Sequence, residues 1–174
     1  MFRRSQRTAI WIIVALLSFW TMFQLWDVWK DEQPPADARL LLYEVSVFQV
    51  ELLSGFIAEA STSGSVSELN GLKQAAYSLE YTHGKLVEAW GGELPELASV
   101  SVLMEWIIRL QIGGDRTLKA EESELFRELN MRFQEMYNTY AGLVTPEGAL
   151  IDSQLETIRT IDEQTASLLR EHVH

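Results

Sequence analysis

A long uncharged apolar run near the N-terminus constrains this chain most. Between Thr8 and Trp26 no residue is charged, and most side chains are large and aliphatic or aromatic. A helix of this length spans roughly 28 Å, close to the roughly 30 Å hydrocarbon core of a bilayer. Apolar side chains cover every face of that helix, as immersion in lipid requires. The run therefore predicts one transmembrane anchor helix over residues 8–29.

Charge and aromatic placement orient this anchor. The chain has 14 Lys and Arg, three of which precede Asp27, whereas all 25 Asp and Glu lie at or beyond Asp27. Cytoplasmic flanks carry an excess of Lys and Arg, and Trp side chains prefer headgroup depth. The anchor residues that carry this prediction are Arg3, Arg4, Arg7, Trp11, Trp26 and Trp29. We expect a cytoplasmic tail at 1–7, a single pass through the plasma membrane, and an extracytoplasmic domain at 36–174.

The segment 30–35 connects the anchor to that domain. It contains Pro34 and Pro35, which break a helix and give a short, stiff spacer. A cleaved signal peptide is one alternative, because Ala36-Asp37-Ala38 has the small-x-small form of a cleavage site. That tripeptide lies far beyond the apolar run, so the sequence favours an uncleaved signal-anchor. A buried helix of a soluble protein agrees less well with the long uncharged run and its aromatic ends.

Composition excludes several classes of function. The net charge is −11 at pH 7, and all of the acidic excess follows the anchor. Such a domain is repelled by nucleic-acid phosphates and by anionic lipid headgroups, so we predict no nucleic-acid partner. Cysteine is absent, which removes disulfide scaffolds, thiolate zinc sites, iron–sulfur clusters and cysteine nucleophiles.

Helical spacing of apolar residues recurs through the domain. The clearest row opens at the capping-box pair Ser65 and Glu68 and ends at Gly91-Gly92. Its members are Leu69, Leu72, Ala76, Leu79, His83, Leu86 and Trp90. A second row consists of Phe126, Leu129, Phe133, Met136, Tyr140 and Leu143. Both rows predict helices that face a common core.

Three more helices complete the predicted domain. One covers 95–112, and the last begins at Thr145-Pro146, an N-cap followed by proline at the first helical position. The earliest covers 37–60, with a predicted core face of Leu41, Val45, Phe48, Leu52 and Phe56. The fold class is therefore all-α: one N-terminal transmembrane helix followed by an antiparallel bundle of four to five helices. A coiled-coil oligomer is the alternative, but each row lasts only about three heptads.

His83 is the most informative polar residue, because it occupies a core position in an apolar row. With Glu80 it forms Glu-x-x-His, half of the paired motif that binds two metals in ferritin-like bundles. The second copy is missing, and His172 and His174 lie near the C-terminus, where chains fray, so we predict no metal site. The purely structural interpretation is a core histidine hydrogen-bonded to a neighbouring helix. The sharper hypothesis is a pH-sensitive or ligand contact at His83 and Glu80, with Asp162 as one acidic partner.

Tyr77 and Tyr81 are the predicted partner-binding surface. They lie beside the Leu72–Leu79 row rather than in it, and exposed tyrosines are frequent in protein interfaces. Most other aromatic residues fall on the rows themselves, which indicates core packing.

No catalytic or cofactor signature occurs in the sequence. The chain has no Gly-x-Ser-x-Gly nucleophile motif and no glycine-rich phosphate loop. Clustered acids such as Glu121, Glu122 and Glu124 are typical of the first turn of a helix. We therefore predict no enzymatic activity and no cofactor.

These observations favour a non-enzymatic, membrane-anchored interaction protein, an accessory or regulatory subunit that binds another membrane or envelope protein. The alternative is a sensor-like module that binds a small ligand or cation between its helices. In architecture alone the layout resembles the helical-bundle sensor modules of bacterial membrane receptors, which continue through a second span that is not seen here. An exposed apolar patch would favour the first function, and an enclosed polar cavity near His83 the second. Homo-oligomerisation stays open, although the anchor contains no Gly-x-x-x-Gly.

Overall fold

A computed structural model describes residues 36–62 and 64–173, together with Trp20 and Met22. The chain divides into two compact units, 1–34 and 35–174, and the second is described below. The predicted tail, anchor and spacer, with the arginines and tryptophans that orient them, lie outside the described residues. Their prediction therefore stays a prediction.

Five α-helices form the described part of the chain. They are α1 (Ala36–Thr62), α2 (Asn70–Ala89), α3 (Ala98–Ile112), α4 (Ala120–Tyr140) and α5 (Asp152–Val173), and a 3₁₀ turn at Val66–Leu69 precedes α2. Apart from two isolated bridges, Ser65 with Thr117 and Val144 with Leu150, no β pairing occurs among these residues. The all-α prediction is confirmed.

The helices pack as a closed ring in the spatial order α1, α2, α3, α5, α4. Side-chain contacts show whether neighbouring helices run parallel or antiparallel. The start of α1 meets the end of α4, where the Tyr43 hydroxyl donates to the Tyr140 carbonyl. The start of α2 meets the end of α3, where Lys73 donates to Gln111. The neighbouring helices α1 and α4 are therefore antiparallel, and so are α2 and α3, in agreement with the predicted bundle.

The core includes both apolar rows identified in the sequence. Every member of the α2 row, including His83, is buried, and so is every member of the α4 row. Each fully buried Leu or Phe side chain contributes about 1.5–3 kcal/mol by leaving water. The Trp106 and Phe126 rings, with centroids 4.8 Å apart, join α3 to α4 in this core.

The predicted core face of α1 is wrong for four of its five residues, and the fifth, Phe56, is partly buried against the core. Leu41, Val45, Phe48 and Leu52 are exposed, and the residues that enter the core instead are Tyr43, Val50, Leu53, Ile57 and Ala60, beside the buried Ser46 and Ser54. Apolar residues surround this helix almost completely, so spacing alone does not distinguish its two faces. At its far end α1 approaches α2 closely, because a Cβ atom on Gly71 would meet the Phe56 ring at 2.7 Å.

The predicted start of the last helix is also wrong. Thr145-Pro146 opens a turn, in which the Gly148 amide donates to the Thr145 carbonyl and Gly148 has a φ of 85°. A glycine in this left-handed conformation is incompatible with a continuing helix. α5 consequently begins only at Asp152.

One helix in the described part of the chain is long and apolar enough to cross a membrane. It is α1, over Ala38–Thr62, with a mean hydropathy of 1.5. Core helices of soluble bundles meet the same criterion, and one face of α1 is part of the core of this bundle. We therefore describe α1 as a bundle helix.

Candidate functional site

His83 lies at the centre of a buried polar network that joins three helices and a loop. Its Nδ1 is 2.8 Å from the Tyr140 hydroxyl, and its Nε2 is 2.8 Å from the Pro95 carbonyl oxygen. A carbonyl can only accept, so Nε2 carries the proton of the neutral ring, and Tyr140 donates to Nδ1. The Tyr43 hydroxyl donates in turn to the Tyr140 carbonyl at 2.7 Å. The network links α1, α2, α4 and the segment before α3.

Burial keeps both aromatic partners in this network neutral. It lowers the pKa of His83 from the usual 6.5, although the Pro95 carbonyl and the carboxylates of Asp162 and Glu96 oppose that shift. Burial likewise raises the pKa of Tyr140 well above its usual range. At neutral pH the pair is therefore a hydrogen bond between uncharged groups.

Asp162 does not form the predicted direct contact with His83, because both ring nitrogens bond to other atoms. Its own carboxylate, which is buried, accepts from the Ala98 and Ser99 backbone amides, each at 2.9 Å, and from the Ser99 hydroxyl. These are orphan amides of the α3 N-terminus, where a negative charge is favourable. Asp162 is thus a helix cap that acts on His83 only through its charge.

An open cleft of about 380 Å³ lies beside His83, between α2 and the start of α3. Three carboxylates line it, from Glu80, Glu88 and Glu96. Glu80 accepts a hydrogen bond of 2.5 Å from the Ser101 hydroxyl. The cleft is open to solvent rather than enclosed. Over residues 36–62 and 64–173, no group of three His, Asp or Glu side chains is placed to hold a metal ion.

Tyr77 and Tyr81 lie on the solvent face of α2, one turn apart. Their exposed fractions are 63% and 62%. Lys85 and Glu88 follow on the same face as an ion pair. The position of the two tyrosines agrees with the surface location expected of them, and their role in binding stays a prediction.

Four exposed apolar side chains of the described residues lie on the face of α1 that the sequence analysis assigned to the core. Leu41 is 62% exposed and Phe48 58%, and Val45 and Leu52 complete the row. The row ends in a shallow depression of about 360 Å³ beside Gly55, which Glu51 and Glu59 border. The sequence does indicate that this face is exposed. Glu44 and Glu51 each lie one turn from Phe48, so charged side chains lie close to this row.

Comparison with protein-family models, with curated proteins and with solved structures found no match to this chain. Its class is therefore defined by its own features: an acidic five-helix bundle with a buried histidine network and an exposed apolar helix face.

Proposed function

We propose that this chain is a membrane-anchored, non-enzymatic interaction protein, an accessory or regulatory subunit whose bundle docks onto another membrane or envelope protein. The observation that carries the proposal is the exposed row Leu41, Val45, Phe48 and Leu52 on α1. Single exposed apolar residues are common, but a row of them along one helix of an acidic bundle supports an interaction surface.

The proposed location is the plasma membrane, with the N-terminus in the cytoplasm and the bundle outside. It rests on the uncharged run from Thr8 to Trp26 and on the three arginines that precede it.

The proposal is tested by crosslinking the tagged full chain in its own membrane, solubilising it in detergent and recovering what is attached. A stoichiometric partner that is lost when the chain is truncated after Pro35 supports docking through the bundle. Recovery of the chain alone, or only as its own oligomer, contradicts an accessory-subunit function.

A second function, binding of a small cation, is favoured by the cleft beside His83. The carboxylates of Glu80, Glu88 and Glu96 line this cleft, and their negative charge attracts cations, although in the described part of the chain they are not grouped as ligands of a metal ion. Calorimetric titration of the detergent-solubilised chain with CaCl₂, MgCl₂ and a short diamine tests it. Saturable heat that disappears in Glu88→Gln, but not in the exposed control Glu163→Gln, would support this function, and heat of dilution alone would contradict it.

A further inference from the structure

The row on α1, Leu41, Val45, Phe48 and Leu52, is here called the α1 outer face. Its members are spaced four, three and four residues apart, the spacing by which a helix presents one seam to a partner helix. The seam extends over about 17 Å at a rise of about 1.5 Å per residue. A partner helix of about three turns therefore matches its length.

Gly55 continues this seam as a notch. A Cβ atom on Gly55 would meet nothing within 4 Å, and Phe48, Leu52 and Phe56 border the depression around it. A residue with no side chain at a seam position lets a bulky side chain of another helix enter between its neighbours. The outer face thus combines a ridge of apolar side chains with a hole at one end.

The charges that α1 itself carries beside the seam all have one sign. Glu44 and Glu51 lie along one side of it, and Glu59 lies beyond Gly55. α1 has no Lys or Arg after Arg39. Charges that flank a helical seam select partners by complementarity. The seam therefore favours a helix with Lys or Arg beside its apolar residues.

We propose, resting on the docking function above, that the α1 outer face binds a basic amphipathic helix of another protein. The apolar row of that helix packs on Phe48 and Leu52, and one of its large side chains fills the notch at Gly55. Its cationic residues pair with Glu44, Glu51 and Glu59. This is the helix-in-groove mode of recognition, in which apolar anchors give affinity and flanking charges give specificity.

The same charges disfavour two other occupants of the α1 outer face, a second copy of this chain and a lipid bilayer. Antiparallel pairing with a second copy would bring Glu44 and Glu51 of one chain against those of the other, which destabilises helix pairs. The net charge of −11 adds repulsion between copies. Insertion of the seam into a bilayer would bring the same carboxylates against anionic headgroups, which is also unfavourable.

A photo-crosslinking amino acid at position 48 of the full chain, in its own membrane, tests the proposal. Position 112 is the matched control, because Ile112 is a 79% exposed apolar residue on α3. We expect an adduct specific to position 48, and its crosslinked segment, sequenced by mass spectrometry, to have apolar residues at helical spacing flanked by Lys or Arg. Adducts with a second copy, with residues 1–35 of the same chain, with lipid, or with a segment lacking cationic residues would each overturn the proposal, as would equal labelling from both positions.

Charge reversal separates specific docking from general attraction to an acidic protein. The double variant Glu44→Lys with Glu51→Lys should lower the yield of the adduct roughly fivefold or more, because rim charges steer association. The control variant Glu163→Lys with Glu171→Lys makes the same change in net charge on α5. Equal loss of adduct in both variants would show that only net charge matters and would overturn the assignment of this face.

A substitution at the notch provides an independent test. Gly55→Trp fills an open surface position, so the bundle should still fold, and crosslinking from position 48 should fall roughly tenfold as the partner side chain is excluded. Unchanged crosslinking would overturn the role of the notch. If the full-chain pull-down recovers a partner but position 48 does not label it, this proposal fails and the docking function stands; if no partner is recovered at all, both fail.

Discussion

The Tyr140 hydroxyl donates a 2.8 Å hydrogen bond to Nδ1 of His83, and both side chains are buried between α2 and α4. Because Nε2 is held by the Pro95 carbonyl at 2.8 Å, the ring has a fixed tautomer and a fixed orientation. A histidine in this state is a structural residue of the core, and its chemistry is available only if the network opens.

Tyr140→Phe should destabilise the bundle by about 1–3 kcal/mol, because it leaves the buried Nδ1 of His83 without a donor. The ring volume is retained, so packing changes little. Denaturant unfolding followed by circular dichroism measures the loss. Tyr137→Phe, on a half-buried residue of the same helix, is the matched control, and equal effects of the two variants would contradict a special role for the Tyr140 hydroxyl.

The stability of the bundle should fall as the pH falls from about 7 to about 5. The pKa of His83 is lowered in the folded state, mainly by burial, so the unfolded chain binds a proton first, and stability is lost below the unfolded pKa of about 6.5. Unfolding free energies measured at several pH values should show this slope, and His83→Gln should remove it. His172→Gln, at an exposed site on α5, should leave the slope intact; persistence of the slope in His83→Gln would assign it to another group.

Asp162→Ala should destabilise the bundle by about 2–3 kcal/mol, because the two α3 amides and the Ser99 hydroxyl lose their acceptor in a buried place. Hydrogen exchange should show the loss first at Ala98 and Ser99. Glu163→Ala alters the adjacent exposed residue and should change stability by less than about 0.5 kcal/mol. Faster exchange throughout α3 to the same degree would argue against a local cap.

Gly55→Ala and Gly71→Ala should have opposite effects on stability. The first adds a methyl group at an open surface position and should stabilise the helix by about 0.5–1 kcal/mol. The second places a Cβ atom 2.7 Å from the Phe56 ring and should destabilise the bundle, because that ring must move. Thermal unfolding of the two variants measures both effects, and a gain from Gly71→Ala would show that Phe56 moves without cost.

How much of this structure the sequence predicts depends on how clearly the apolar and polar faces of each helix differ. In α2 and α4 the apolar rows alternate with polar residues, and every predicted row member is buried. In α1 both faces are apolar, and the true inner face includes Ser46 and Ser54, so composition favoured the wrong one. The bonds of His83 to Tyr140 and Pro95 join residues far apart in the chain or in a loop, and local spacing contains no information about them.

The ring order of the helices has a consequence for the sequence of folding events. α5 packs on both α3 and α4, so these two helices, whose Trp106 and Phe126 rings are in contact, acquire this shared neighbour only when α5 has been synthesised. The orphan amides at the start of α3 acquire their acceptor, Asp162, only then. During synthesis the earlier helices therefore emerge with an unfilled groove and an uncapped helix, and the chain must delay its final closure until α5 leaves the ribosome.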